Sequence, residues 1–188
     1  AYCEALTEIT IPASVTSIAA NAFVDCTSLV SINVDENNAN YSSVDGVLYN
    51  KDQTVLLRHP QGKTDHTFVF LQTVTAIGDY AFYGCDICSV VQAIPTDHIT
   101  VYGYYLFIPY AVTSVGDNAF ASIVIPGDTF SAFGIVFYNP NCEIYDSAST
   151  IKKSDKLIIG GYDGSTAQAY AESYDRTFVS LGAAPEVP

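Results

Sequence analysis

LTEITIPASVTSIAANAFVDCTSL, residues 6–29, decides the fold, because its apolar residues return at a fixed distance. Counting from Cys3, the chain places Leu6, Ile9, Ile11, Pro12, Val15, Ile18, Ala22 and Phe23 in order, and Cys26, Leu29, Ile32 and Val34 then restart the series with a period of 23 residues. Such a period is sought ahead of single elements, since a missed repeat misassigns the whole fold. The second half of the unit comes back as VTAIGDYAFYGC at residues 74–85, preceded by Phe68 and Phe70, and matches VTSIAANAFVDC at 15–26. It comes back again as VTSVGDNAF at 112–120, preceded by Leu106, Ile108 and Pro109, so three copies are visible.

Spacings of two and three cannot make a continuous helical stripe, whereas Ile9 with Ile11, or Leu106 with Ile108, suits a short strand with alternate side chains turned inward. The unit reads as a strand, a proline-marked corner, and a second extended or 3₁₀ segment that ends in Ala-Phe. No such unit can bury its apolar edge alone, so copies must stack and share a core. The fold expected is a leucine-rich-repeat solenoid, mainly β, with short 3₁₀ segments. Cys3, Cys26 and Cys85 fall at one place in successive units, and Cys88 falls where Leu6 and Leu29 fall. Small apolar thiols suit inward rungs, so these are read as buried free cysteines.

Two stretches break the period. In the insertion at about 35–66, GVLYNKDQTVLLR has two apolar runs around Asn50 to Gln53, which predicts a hairpin standing off the solenoid. From Gln92 to Tyr105 no register is assigned. After Phe120 a shortened unit, Ile123 and Ile125 with Pro126, leads into FYNPNCEIYDSAST, residues 137–150, read as degenerate turns. A terminal cap is expected over about 142–181: a strand at Leu157 to Ile159, a break at Gly160 and Gly161, then a helix started by Ser165 and Gln168 as a capping box. Ala167, Tyr170, Ala171 and Tyr174 give that helix one apolar face, and Phe178, Val179 and Leu181 form a last extended run. Residues 182–188 read as a linker or tail, leaving one repeat domain at 1–181.

With 20 acidic and 7 basic residues the net charge is −13, so phosphate backbones and anionic membranes are repelled and no nucleic-acid partner is expected. No run approaches the roughly 20 apolar residues a membrane helix needs, so no membrane insertion is expected within these residues. The chain has no methionine and opens inside a repeat, which reads as a segment of a larger protein whose targeting signals lie elsewhere.

LTEITIPASVTSIAANAFVDCTSL and VTAIGDYAFYGC resemble the BspA-type leucine-rich repeat. YSSVDGVLYNKDQTVLLRHPQGK, residues 41–63, is similar to a hairpin found between such repeats, and GGYDGSTAQAYAESYDRTFVSLG, residues 160–182, resembles the C-terminal unit of those proteins in gut and rumen Firmicutes. The resemblance implies a secreted or cell-surface bacterial protein working in adhesion, host-protein binding or assembly of extracellular complexes. It also implies that modules such as dockerins or enzymes can flank the repeats, as in a cellulosome. The family brings no catalytic residues and no cofactor.

An enzyme needs a nucleophile or acid/base group with a positioned partner. His59 and His66 flank the end of the insertion and His98 lies in the irregular stretch; all three read as surface histidines, and a Cys88 nucleophile with His98 as base has no geometric support. Asp35, Glu36, Asn37 and Asn38 follow no calcium-loop spacing and read as a solvated acidic loop. Protein recognition or scaffolding leads as the function, with an extracellular protein or host surface as partner. Carbohydrate binding is the alternative: Tyr102, Tyr104, Tyr105 and Tyr110, out of 14 tyrosines, cluster where they could stack on a polysaccharide. A passive spacer is the third reading.

Overall fold

A computed structural model describes residues 3–64, 68–86, 91–95, 100–124 and 132–186. The first unit contributes strand β1 (Glu8–Ile11) and the second β2 (Ser31–Val34), paired in parallel so that Ile9 meets Ile32 and Ile11 meets Val34. The insertion holds β3 (Tyr41–Val44), β4 (Val47–Asn50) and β5 (Val55–Arg58). Strands β6 (Ala76–Ile77), β7 (Val91–Pro95), β8 (Thr100–Ile108), β9 (Ser114–Val115), β10 (Ala132–Phe137) and β11 (Glu143–Ile144) follow. The chain closes with β12 (Leu157–Asp163), helix α1 (Thr166–Ser173) and β13 (Thr177–Ala183).

Two larger sheets enclose the main core. One has the order β13-β12-β10-β8-β7, parallel except for the β7–β8 pair; the other has the order β11-β9-β6-β5-β4-β3. Each late unit feeds both, because the chain leaves β8, turns at Pro109 and enters β9, and leaves β10 to enter β11. The registers put like residues in columns: Leu56, Ile77, Val115 and Ile144 on one side, Leu106, Ile135, Ile159 and Phe178 on the other. The Ala-Phe turns make a third column, where Phe82 and Phe120 stack with centroids 5.4 Å apart and Phe120 bridges to Ile151. FYNPNCEIYDSAST is therefore not a set of degenerate turns. It runs from the last residue of β10 through β11 and completes that rung, with Cys142 and, directly after it, Ile151 buried where earlier units have Val and Phe.

The insertion is also corrected. It is a three-stranded antiparallel meander whose last strand pairs in parallel with β6, so it is a rung of the larger sheet and not a hairpin standing clear. Asp45 (φ 50°) and Gly46 (φ 76°) form its first turn, since a two-residue hairpin loop needs φ above zero at both central positions. The physical reason for its position lies in β4, where Val47, Leu48 and Tyr49 are all buried. Val47 and Tyr49 face the main core while Leu48 faces a second core built by Ile11, Phe23, Cys26, Leu29 and Ile32. A strand apolar on both faces cannot stand in water; here it partitions two cores.

Asn38, expected in a solvated loop, is fully buried. Its amide nitrogen donates to Pro12 O (2.8 Å) and Val15 O (3.0 Å), and its oxygen accepts from the Asn40 and Tyr41 backbone N–H groups. Asn139 repeats the device on Val112 O at 2.9 Å, so each asparagine ties down the corner of the preceding unit. At the C-terminal end α1 begins as expected with the Ser165 hydroxyl accepting from Gln168 N, and buries Ala167, Tyr170 and Ala171. The Gln168 side chain accepts from Gly164 N rather than from the N-cap residue. Thr166 docks the helix by donating to Cys142 O at 2.6 Å, and the Tyr170 hydroxyl donates to Ser147 O while accepting from Ile151 N. β13 extends to Ala183, past the expected end of the cap at 181.

Replacing Asn38 by alanine leaves two carbonyls and two N–H groups at this corner without their partner. The expected loss is about 3 kcal/mol, or a fall in Tm of roughly 6–12 °C. Thermal unfolding of Asn38→Ala measures it, and a change within about 1 °C would contradict the role assigned to the side chain.

Candidate interaction surface

A strand of alternating side chains sends one set into the core and the other outward. On β5, β6, β9 and β11 the inward set is Leu56, Ile77, Val115 and Ile144, so Val55, Ala76, Ser114 and Glu143, paired along the same register, form the outer face. Three of these four are small or short. The chain then continues through Gly78 and Gly116, and a Cβ at Gly116 would collide with the Asp79 carboxylate and its backbone. The result is a shallow groove of about 450 Å³ across the sheet, with Asp79, Glu143 and Tyr145 along it. Tyr145 is 54% exposed. At the edge of the groove Thr75 and Thr113 turn their hydroxyls onto the carbonyls of Thr54 and Thr75, which leaves their methyl groups to the surface.

The four tyrosines singled out from sequence do not make one surface. Tyr105 is completely enclosed, packed with Val136 and Ile158 on the outer side of the five-stranded sheet. Gly134 makes this possible, since a Cβ there would strike the Tyr105 ring. Tyr104 is half-buried against the main core, Tyr110 is 46% exposed in the turn after β8, and the side chain of Tyr102 lies outside the described residues. Strand alternation forces neighbours 104 and 105 to opposite faces, a constraint the clustering in sequence conceals.

His59 is another correction: it is fully buried, not at the surface. Its N–H donates to Ala81 O as Phe82 N–H donates to Ala119 O, and its ring stacks on Phe82 at 5.7 Å. Arg58-His59 thus stands in the ladder where later units have Ala-Phe, and the aromatic column runs His59, Phe82, Phe120. Arg58 is 2% exposed, and its guanidinium spans the neighbouring turns by donating to Tyr80 O (2.5 Å) and Phe23 O (3.2 Å). Burial lowers its pKa, desolvation outweighing the nearby Cys85, Cys26 and Asp25. His66, Cys88 and His98 lie outside the described residues.

Cys26 and Cys85 are buried free thiols as expected, and Cys142, for which the period gave no reading, is buried too; Cys3, expected to be buried, is exposed, because among the described residues no rung covers the first unit. The Cys85 thiol donates weakly to His59 O at 3.3 Å. Burial pushes it up to about 12, against a smaller lowering by Arg58, so at neutral pH it is neither thiolate nor accessible. Among the described residues no group of three or more His, Cys, Asp or Glu is placed to hold a metal ion, and no helix is long and apolar enough to cross a membrane.

Residues 1–45 and 64–108 match, in six copies, the family described as BspA type Leucine rich repeat region. Among curated proteins none matches. Three solved structures share the fold. The pneumococcal vaccine antigen PcpA superposes with TM-score 0.52 at 17% identity, over 97% of this chain and 56% of its own. A leucine-rich repeat protein of Eubacterium ventriosum gives 0.53 at 21%, over 94% of this chain and 49% of its own. A leucine rich cell surface protein of Faecalibacterium prausnitzii gives 0.56 at 22%, over 97% and 49%. The chain spans about half the length of these structures. The leucine-rich-repeat fold expected from the period is thus the fold found.

The raised Cys85 pKa carries a pH consequence. Native Cys85 stays protonated where the unfolded thiol ionises, so its contribution to stability is full below about pH 9 and is lost as pH rises toward about 12. The expected slope from this group is up to about 1.4 kcal/mol per pH unit in that window. Urea midpoints at about pH 8 and about pH 10.5, compared with those of Cys85→Ala, isolate it. Equal pH dependence in the two proteins would contradict the assignment.

Proposed function

We propose that this chain, whose matched segments are BspA-type leucine-rich repeats, is a non-catalytic extracellular module that binds a protein partner through the outer face of its six-stranded sheet. The observation carrying this reading is the groove over β5, β6, β9 and β11, in which short residues leave room, with Tyr145 offering an apolar contact and Asp79 and Glu143 offering charge. Stacked parallel rungs make such a face broad and regular, which suits a macromolecular surface better than a small substrate. The acidic rim and a net charge of −13 favour a partner segment rich in Lys or Arg, drawn in by long-range attraction and held more weakly at high salt.

The family of the matched segments and two of the structural neighbours, a vaccine antigen and a cell surface protein, support placement outside the cell. Adhesion to a host surface and scaffolding of an extracellular complex are the two settings that fit. The enclosure of Tyr105 takes the centre out of the tyrosine platform that a carbohydrate reading requires.

Ala76→Arg and Ser114→Arg fill the groove without touching the inward column. With the domain as bait for basic extracellular proteins from host mucus, matrix and plant-wall extracts, each variant is expected to lose at least tenfold in capture of the partner while Tm moves by no more than about 2 °C. A partner held equally well by both variants would remove this face from the account. Retention on polysaccharide that Tyr110→Ala abolishes would replace the reading with carbohydrate binding, and capture of nothing would favour the spacer.

A further inference from the structure

A second concavity, of about 490 Å³, lies beside the Asp45-Gly46 turn and shares no residue with the groove. Its lining comes from two segments. The hairpin of β3 and β4 gives Val44 and Val47, which pair directly across its strands, with Asp45 in the turn beyond them and Tyr49 two residues further along β4 on the same face. Phe68 and Leu71, half-buried against the main core, give the other wall, and Val69 is 79% exposed at the mouth.

Polar groups bracket this apolar floor. Tyr49 is packed in the main core and is 2% exposed. Its hydroxyl has no hydrogen-bond partner among the described residues, and it is not sealed from solvent as the unpartnered Arg58 Nε and Asp117 Oδ1 are, so the accessible remainder of Tyr49 is at this cavity. Burial first, and the Asp45 carboxylate second, push the hydroxyl up to about 12, so at neutral pH it keeps its proton and donates. The exposed Asp45 carboxylate can only accept. With Lys63 also on the lining, the described walls carry one charge of each sign, which favours neither an anion nor a cation.

A wholly apolar ligand would close over the Tyr49 hydroxyl without giving it a partner, at a cost in free energy. The fitting ligand is neutral, accepts at one end of the floor, donates at the other and is apolar between. We propose that this cavity binds one pyranose ring of a neutral sugar, with hydroxyls accepting from Tyr49 and donating to Asp45 and the C–H faces lying against Val44, Val47, Phe68 and Leu71. A pyranose carries hydroxyls, each both donor and acceptor, around the rim of an otherwise apolar ring, whereas a simple alcohol or amide has a single polar end and reaches one of the two groups. The volume falls within the usual range of ligand cavities and exceeds what one ring needs, so a glycosidic substituent has room toward Val69.

NMR titration of the whole 188-residue chain with methyl β-glucopyranoside, methyl β-galactopyranoside and methyl α-mannopyranoside tests this. At least one should bind saturably and shift the amides of residues 45–49 and 68–71. Cyclohexylmethanol, which keeps a six-membered ring but has one hydroxyl, should bind at least about tenfold more weakly than the best sugar. Glucuronate, which adds a charge, should bind no more tightly than that sugar. Tyr49→Phe removes an oxygen bonded to no other described residue, so it should weaken the sugar about tenfold while Tm moves by no more than about 2 °C. Asp45→Asn, which suits the left-handed backbone there (φ 50°), should weaken it by a similar factor. Saturation by none of the three sugars, cyclohexylmethanol or glucuronate binding more tightly than the best of them, or unchanged affinity in either variant would overturn the proposal.

Discussion

Every rung of this chain is too short to bury its own apolar edge, and the whole structure follows from the need for the next rung to cover it. The covering is paired with hydrogen bonding at each level. Thr75 N–H donates to Thr54 O, Thr113 N–H to Thr75 O and Glu143 N–H to Thr113 O, so one ladder runs through four units that are far apart in sequence. A rung can therefore change its side chains widely if it keeps its backbone in register and presents something apolar inward. Cys142 for Val and Ile151 for Phe are changes of that kind, and His59 for Phe keeps an aromatic ring in the column although the residue is polar.

The same constraint explains why the insertion lies within the stack. Three consecutive buried residues in β4 give that strand two apolar faces, and β5 adds Leu56 toward one core and Leu57 toward the other. The meander divides the N-terminal pair of units from the rest and forms the end of the six-stranded sheet. Its cost is an incomplete turn beside Arg58, which bridges the carbonyls of Phe23 and Tyr80 across the gap. The outer face of the sheet and the cavity beside Tyr49 are thus two products of one arrangement: regular stacking makes the first and the inserted hairpin makes the second.

The period was legible in sequence because three units keep Val, Ile, Ala and Phe at fixed spacing, and the solenoid, the terminal helix and its buried face follow from residues alone. The rung at 132–151 was not legible because Cys142 and Ile151 satisfy the packing without the Ala-Phe signature. The Asp45-Gly46 turn carried a usable signal, since Asp-Gly between β-rich runs favours a two-residue hairpin, yet the apolar runs on either side of Asn50 to Gln53 drew the reading to the second turn alone. Burial of Asn38, Arg58 and His59 could not be read from residue type, because polar side chains enter a core when backbone groups there need partners, and those groups become visible only once rungs are stacked. The tyrosine cluster failed as a single surface for the reason that adjacent residues in a strand face opposite ways.

The central claim is that residues 47–58 form a rung of the solenoid and the wall between its cores. Native-state hydrogen exchange at each amide tests it most directly, because strands buried on both faces open only with the surrounding core. The account predicts that the amides of Leu48, Tyr49 and Leu56 are protected to the same degree as those of Gly134 to Val136 in β10. Exchange of the former within seconds, while β10 stays protected, would mean that the insertion is a hairpin clear of the stack and would contradict it.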